Sequence, residues 1–489
     1  MLNDKNNITD KNIFLSVMKF SVPTWVNFII SILSTPILTR AYLPDQYALI
    51  TIFNTTTNLV MYLVSFGLDG GYIRFYNEPP NNENHKLMLD KILVLFAFGT
   101  ILFSIITIFL GNEISNKLFG IDSFFLSYLL VVNVFSTILL RFLNITYRMS
   151  MNSKQYTIQN ILINLVFKIG AFIAIPISRS ANIAIFFQVT LLFILSIVYS
   201  YYQRNDIIYY PAFKKNAEKE DRLLSFKGYG EFIKYSLFNA PNYIISNSNL
   251  FICQQIIRTR LGNSFVGIFS SAGYFSSLLE VARGGFSVYW SAYMYKNYKT
   301  NSKEIIKVHD YMIIFSATMF WGLIAFKDII YLLIGREYRE SKLFFSVLLF
   351  GNILRLCCET TTYGITIKKR TDISLILNFI SCAINIVLCY IFVNLFGLIG
   401  AAYANMISNV VYCFLATYIG QKFYKSIKSK GKTFLVVCEL ILMAIIPSVV
   451  MSAAFQILLC TIVLLFIYIQ YRKEILDIFY YIKKFLRKE

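Results

Sequence analysis

Histidine is almost absent from this chain, with only His85 and His309 among 489 residues. No imidazole cluster is available to ligate a metal or to act as a general base inside an apolar environment. The phosphate-cradling P-loop pattern and the GxSxG and HExxH hydrolase patterns are also missing. ATP hydrolysis by the chain itself is therefore not expected, and energy for any transport must come from an ion gradient or from the substrate's own gradient. The eight cysteines, Cys253, Cys357, Cys358, Cys382, Cys389, Cys413, Cys438 and Cys460, lie in or beside apolar runs without CxxC spacing. They read as small hydrophobes, which excludes a disulfide framework and a zinc site. No cofactor and no metal are expected. Charge is scarce too: 15% of residues are Asp, Glu, Lys or Arg, where globular domains carry about 25%. The opening MLNDKNNITDKN has no apolar core of the kind a cleaved signal peptide needs, so the first span is expected to direct insertion itself.

What fills the chain instead is apolar sequence, 57% of residues, with mean hydropathy +0.59. Runs of roughly 20 apolar residues are long enough to cross about 30 Å of hydrocarbon as helices, and backbone groups that cannot meet water in lipid must pair within the segment. Fourteen such runs are expected, near 14–39, 47–68, 90–110, 121–140, 157–176, 182–201, 231–257, 264–290, 311–334, 341–365, 371–396, 398–419, 433–452 and 453–471. The fold class is thus an all-α polytopic membrane protein of about 14 transmembrane helices. The formal charge of +20 would suggest nucleic acid in a soluble protein, but here Lys and Arg alternate from loop to loop. With the N-terminus inside, inside segments hold 31 of them and outside loops 8, the asymmetry that orients membrane proteins. Both termini are expected to be cytoplasmic, and nucleic acid is not an expected partner.

The longest polar stretch, 202–230, halves the twelve principal spans. The expected organisation is an N-terminal lobe over 1–201, a cytoplasmic inter-lobe loop over 202–230, a C-terminal lobe over 231–420, and a helix pair with a basic amphipathic tail over 421–489. A faint internal echo agrees: Arg40-Ala-Tyr-Leu-Pro-Asp-Gln-Tyr47 leaves span one as Arg258-Thr-Arg-Leu-Gly-Asn-Ser-Phe265 leaves span seven, and Lys19 with Pro23 opens span one as Lys234 with Pro241 opens span seven. Duplicated bundles of this kind are common in transporters. The two prolines are expected to bend their helices. The tail from Arg472 to Glu489 alternates apolar and basic residues at helical spacing, suited to lying on an anionic inner leaflet.

Charges inside spans cost about 2.5–3.5 kcal/mol on insertion scales and mark pathways by default. Lys168 lies mid-span in the fifth run; Glu280 and Arg283 are three apart in the eighth; Arg355 and Glu359 are four apart in the tenth. Such spacings also permit local ion pairs without any function. Lys19, Lys234 and Arg141 are close enough to span ends to snorkel. Asn239, Asn242, Ser246 and Asn249 form one polar stripe on span seven, and Thr51, Asn54, Thr55 and Asn58 another on span two. These stripes either bond neighbouring helices or line a wet cavity, where amides and tyrosines would suit a sugar.

Four stretches carry a wider likeness: Gly67-Leu-Asp-Gly-Gly-Tyr-Ile-Arg-Phe-Tyr76, Val266-Gly-Ile-Phe-Ser-Ser-Ala-Gly-Tyr274, Leu333-Ile-Gly-Arg-Glu-Tyr338 and Gly397-Leu-Ile-Gly-Ala-Ala-Tyr-Ala404. In their order and spacing the chain resembles the polysaccharide flippases, the O-antigen and capsule translocases of the multidrug/oligosaccharidyl-lipid/polysaccharide exporter superfamily. The resemblance implies two six-helix lobes around a central cavity, rocking between inward-open and outward-open states. It implies an undecaprenyl-diphosphate-linked oligosaccharide as cargo, passed to the outer leaflet of the bacterial cytoplasmic membrane, with membrane lipids, a polysaccharide polymerase and a chain-length regulator as further partners. Lys19, Lys168, Lys234, Arg283, Arg355, Asn239, Asn242 and Asn249 are the expected substrate contacts, inferred from position. Glu280, Glu359 and Asp69 are the expected ion-coupling carboxylates. Two rivals are a polytopic O-antigen polymerase or ligase, disfavoured by short external loops, and a multidrug exporter of the same superfamily, whose cavity would be acidic. No enzyme activity is expected.

Overall fold

In the computed structural model the described residues are 22–27, 29–207, 226–300, 302–368, 370–450 and 452–477. Among them every regular element is helical. Lys19, the N-terminal segment, most of the inter-lobe loop and the tail beyond Asp477 lie outside the described residues.

The helices are α1 (Val22–Ala41), α2 (Pro44–Ser65), α3 (Leu68–Phe75), α4 (His85–Phe119), α5 (Phe124–Met149), α6 (Ser153–Ile177), α7 (Ala181–Tyr202), and the single turn α8 (Arg204–Ile207). There follow α9 (Gly230–Leu261), α10 (Asn263–Asn297), α11 (Ser302–Ala325), α12 (Lys327–Leu333), α13 (Phe345–Cys358), α14 (Tyr363–Ile367), α15 (Thr371–Phe396), α16 (Leu398–Phe423), α17 (Lys430–Val449) and α18 (Ala453–Gln470). Side-chain oxygens start several of them by accepting otherwise orphaned backbone N–H groups: Asn84 at α4, Ser123 at α5, Asn152 at α6 and Ser429 at α17.

Among the described residues, eleven helices are long and apolar enough to span a membrane, and a twelfth if the 3₁₀ segment Arg336–Leu343 and α13, bent by 61°, are one span. The chain is a multi-pass membrane protein. Each of the fourteen expected spans overlaps helix; the expected seventh and eighth, α9 and α10, are 32 and 35 residues long, and the amides of the expected Asn stripe make α9 the more polar of the two. Pro241 sits inside α9, whose helical assignment continues through it.

Packing divides the chain into two compact units. The first comprises the chain up to Ile30 and Asp45–Gln255; the second comprises Ser31–Pro44 and the chain from Ile256 onward. The expected lobe boundary at residues 202–230 therefore differs from the observed grouping: most of α9 packs with the first unit, and the second half of α1 with the second. The helices that pass from one unit to the other, α1 and α9, are the two whose ends echo each other in sequence.

The stretches that carry the family likeness are places where backbones meet. Gly67, in the left-handed region at φ 70°, turns α2 into α3 and lies against the backbone of Ser236 and Ala240 in α9; a Cβ on Gly71 would run into Ser236 and Phe232. In the second unit, Gly335 packs on the carbonyl of Thr39, and Tyr338 Oη donates to the Tyr42 carbonyl at 2.7 Å. Burial pushes the Tyr42 hydroxyl up to about 12.

Candidate functional site

In the first unit, the close approach of α3 to α9 sets Asp69 at the first turn of α3, facing Arg141 of α5. Asp69 is 1% exposed. Its Oδ2 accepts from Arg141 Nε at 2.9 Å and Nη2 at 2.6 Å, while Oδ1 is buried and has no hydrogen-bond partner among the described residues. The guanidinium lies 5.1 Å from the Tyr62 ring centroid, and Tyr62 stacks on Tyr243 of α9 at 5.6 Å with an interplanar angle of 11°. Arg141 keeps 34% of its side chain exposed. It is therefore held by a carboxylate on one side and an aromatic wall on the other, with part of its fork open to a ligand. Asp69, expected as an ion-coupling group, has its charge answered by an arginine that position alone had read as snorkelling.

In the second unit the charged pairs come together in a different combination from the one helical spacing suggested. Glu280 and Arg283 do pair within α10, at 3.0 Å. Arg355 and Glu359 do not pair with each other. Glu359, just past the end of α13, instead takes Arg283 Nη1 at 3.3 Å and the Ser287 hydroxyl at 2.6 Å. Arg355 donates through Nε to Asn409 Oδ1 of α16 at 2.8 Å, with Tyr412 beneath its guanidinium at 5.6 Å. Partners on neighbouring helices replace the local pair, because a carboxylate at a helix end can swing toward whichever cation the packing supplies. Arg283, bridging two carboxylates, remains 31% exposed along its side chain. Each unit thus contains one arginine joined to a carboxylate on another helix and still partly open: Arg141 in the first, Arg283 in the second.

The other expected contacts are more dispersed. Lys168 is half-buried on α6, beside Phe167, whose carbonyl accepts from Gln188 of α7 at 2.7 Å. The two carboxylates suggested as its partners, Glu280 and Glu359, are both engaged by Arg283. Lys234 is exposed near the start of α9. Asn239 and Ser246 turn their polar atoms back onto α9, donating to the carbonyls of Tyr235 at 3.1 Å and Asn242 at 2.8 Å; Asn242 and Asn249 are half-buried on the same helix. On α2, Thr55 donates to Gln254 Oε1 of α9 at 2.6 Å, while Thr51 donates back to the Ala48 carbonyl of its own helix at 2.9 Å.

One cluster has no counterpart in the sequence reading. Lys91, 1% exposed, reaches both oxygens of Glu83 at 2.9 Å and lies 4.7 Å from the Tyr229 ring. Tyr229 donates to Glu83 Oε2 at 2.8 Å across 146 residues of sequence. Burial, and then the neighbouring Glu83 carboxylate, push the Tyr229 hydroxyl well above the usual tyrosine range. Asn81 adds a bond to the Lys227 carbonyl at 2.8 Å. The end of the inter-lobe loop is thereby tied to the segment that precedes α4. Pairing over such a separation leaves no periodic signal, which is why a lysine at a span border gave no hint of it.

No protein-family model matches the sequence, and no curated protein matches it. The fold does match solved structures. The chain aligns with lipid II flippase MurJ in an inward closed conformation, with TM-score 0.69, 17% identity, and 93% of this chain and 99% of that one covered. It also aligns with an inward-facing multidrug resistance MATE family transporter of the MOP superfamily, with TM-score 0.59, 16% identity, and coverage of 83% and 97%. A MATE structure in complex with MaL6 gives TM-score 0.57 at 15% identity, covering 83% of this chain and 95% of that one. The chain has the MurJ and MATE fold.

Proposed function

We propose that this chain is a flippase of the MOP superfamily that carries an undecaprenyl-diphosphate-linked oligosaccharide from the inner to the outer leaflet of a bacterial cytoplasmic membrane, by alternating access, for O-antigen or capsule synthesis. The observation that carries the reading is the pair of partly open arginines, Arg141 and Arg283, one in each unit, each positioned by a carboxylate. A diphosphate entering hydrocarbon must exchange its hydration for fixed donors, and a guanidinium offers planar, paired N–H groups that match phosphate oxygens. The carboxylates make these arginines tolerable in the apo protein and aim them. Arg355, Lys168, Lys234 and Lys19 extend the cationic set, and Asn239, Asn242 and Asn249 are the amides suited to sugar hydroxyls.

The same geometry supports coupling to an ion. Glu280 and Glu359 compete with the diphosphate for Arg283, and Asp69 competes for Arg141. Neutralising a carboxylate with a proton or a sodium ion frees the arginine for cargo, so ion entry and cargo binding are linked. The reading is a transporter and not an enzyme. Its cargo and the surrounding lipids are its primary partners, a polymerase and chain-length regulator act downstream, and both termini are cytoplasmic.

The test is genetic and chemical together. Deleting the gene should remove surface polysaccharide and accumulate the lipid-linked unit. Arg283→Ala and Arg141→Lys, at normal membrane abundance, should fail to restore export. Full export by both variants would sink the arginine assignment. Loss of drug resistance with normal polysaccharide would favour the multidrug-exporter alternative that the MATE fold also accommodates.

A further inference from the structure

The second unit contains a cavity of about 340 Å³ lined by α11, α13, α16 and α17 and open on one side. Ligand pockets occupy roughly 300–1,000 Å³, so this one suits a single slender chain better than a bulky ring system. Its wall is apolar: Leu354, Val410, Val437 and Ile441, with the thiols of Cys358 and Cys413 behaving as small hydrophobes. Phe414, Tyr418 and Phe434, at its rim, are all exposed on the outer surface of these helices, the surface that faces lipid in a membrane-spanning bundle. Its lining ends on Gln421, Ile427 and Lys430, in the segment joining α16 to α17.

That segment is the most basic short loop of the described chain. Lys422, Lys425, Lys428, Lys430 and Lys432 fall within eleven residues, with no Asp or Glu among them. Lys425, Lys428 and Lys430 are exposed. Loop orientation explains an excess of lysine here, but it does not explain an apolar cavity ending at one of those lysines. An amphiphile with an anionic head and a hydrocarbon tail satisfies both halves: the phosphate sits among the lysines, where membrane-proximal basic residues attract anionic lipid, and one acyl chain fills the space behind Lys430.

We propose that this cavity is a binding site for an anionic phospholipid of the surrounding membrane, with one acyl chain between α13, α16 and α17 and its phosphate on Lys428 and Lys430. None of the cargo contacts assigned above is among its lining residues, and lipid binding there does not depend on the identity of the cargo. The occupant is the membrane's own lipid.

Native mass spectrometry of the full-length protein released from detergent tests this with dioleoyl-phosphatidylglycerol, dioleoyl-phosphatidylcholine and undecaprenyl phosphate as probes. The wild-type chain should retain phosphatidylglycerol at least five-fold more than phosphatidylcholine. Lys428→Ala with Lys430→Ala should abolish that preference while leaving the apolar wall of the cavity in place. Val437→Trp, which fills the cavity, should lower phosphatidylglycerol occupancy at least five-fold, whereas Leu435→Trp, on the exposed face of the same helix, should leave it unchanged. Equal retention of the two phospholipids, or undiminished phosphatidylglycerol occupancy in Val437→Trp, overturns the proposal. So does displacement of phosphatidylglycerol by undecaprenyl phosphate at a tenth of its concentration, which would assign the cavity to a prenyl chain. If Val437→Trp fails to assemble, the lysine double variant decides alone.

Discussion

Breaking the Asp69–Arg141 pair from either side should have unequal consequences, because the two partners differ in access to water. Asp69 is 1% exposed and one of its oxygens already lacks a hydrogen-bond partner among the described residues, whereas Arg141 keeps 34% of its side chain exposed. Arg141→Ala leaves a buried carboxylate with neither its counter-charge nor its two N–H donors, and stranding a buried charge in this way costs about 3–5 kcal/mol. Asp69→Asn leaves a guanidinium that can turn toward solvent, and the amide keeps one acceptor oxygen for Arg141. That loss should be about 1.5–3 kcal/mol, the range for a hydrogen bond to a charged group. The double variant should lie near Asp69→Asn rather than at the sum, so the interaction energy should be close to the whole Arg141→Ala loss, about 3–5 kcal/mol. Equilibrium denaturation of the purified protein in detergent, with membrane abundance alongside, measures all three. Arg141→Ala as stable as Asp69→Asn, or strictly additive losses, would refute the reasoning that the buried carboxylate is the costly partner.

Three further outcomes follow from the geometry. Gly335→Ala places a methyl group under 3.0 Å from the Thr39 carbonyl, an overpacking cost of about 1–3 kcal/mol, so its melting temperature should fall; Gly273→Ala, whose Cβ would meet nothing within 4 Å, is the matched control and should melt like wild type. Lys168→Ala should abolish surface polysaccharide at normal protein level if Lys168 meets the diphosphate, with partial function in Lys168→Arg; depletion from the membrane would mark a structural role, and normal export at normal abundance would make the lysine a bystander. Alkaline phosphatase fused near Lys215, in the loop carrying six Lys and Arg, should be inactive, and activity there would invert the topology.

The helical architecture was legible because hydrophobic length is a local property: fourteen runs of apolar sequence each overlap helix. The more polar character of α9 has a local cause as well, since the amides of its Asn stripe lower its hydropathy. Unit membership was less legible. The sequence placed α9 at the start of the second lobe, yet α9 packs beside α3 through Gly67 and Gly71, a contact decided by side-chain absence at distant positions. In the candidate site, helical spacing found Glu280 with Arg283, which do pair, and suggested Arg355 with Glu359, which do not. Spacing describes one helix, whereas Glu359 is answered across helices by Arg283 and Ser287. Asp69 with Arg141, and Lys91 with Glu83 and Tyr229, depend on tertiary contact, and no periodicity in a single chain reports it.

The central claim is translocation of a lipid-linked oligosaccharide, and reconstituted transport tests it most directly. The purified chain is placed in liposomes with an undecaprenyl-diphosphate oligosaccharide in the inner leaflet, and an external glycosidase reads the sugar that reaches the outer leaflet. The account predicts progressive cleavage well beyond protein-free liposomes, lost in Arg283→Ala and Arg141→Lys. Cleavage no faster than in protein-free liposomes, under an imposed proton or sodium gradient of either direction, would contradict it.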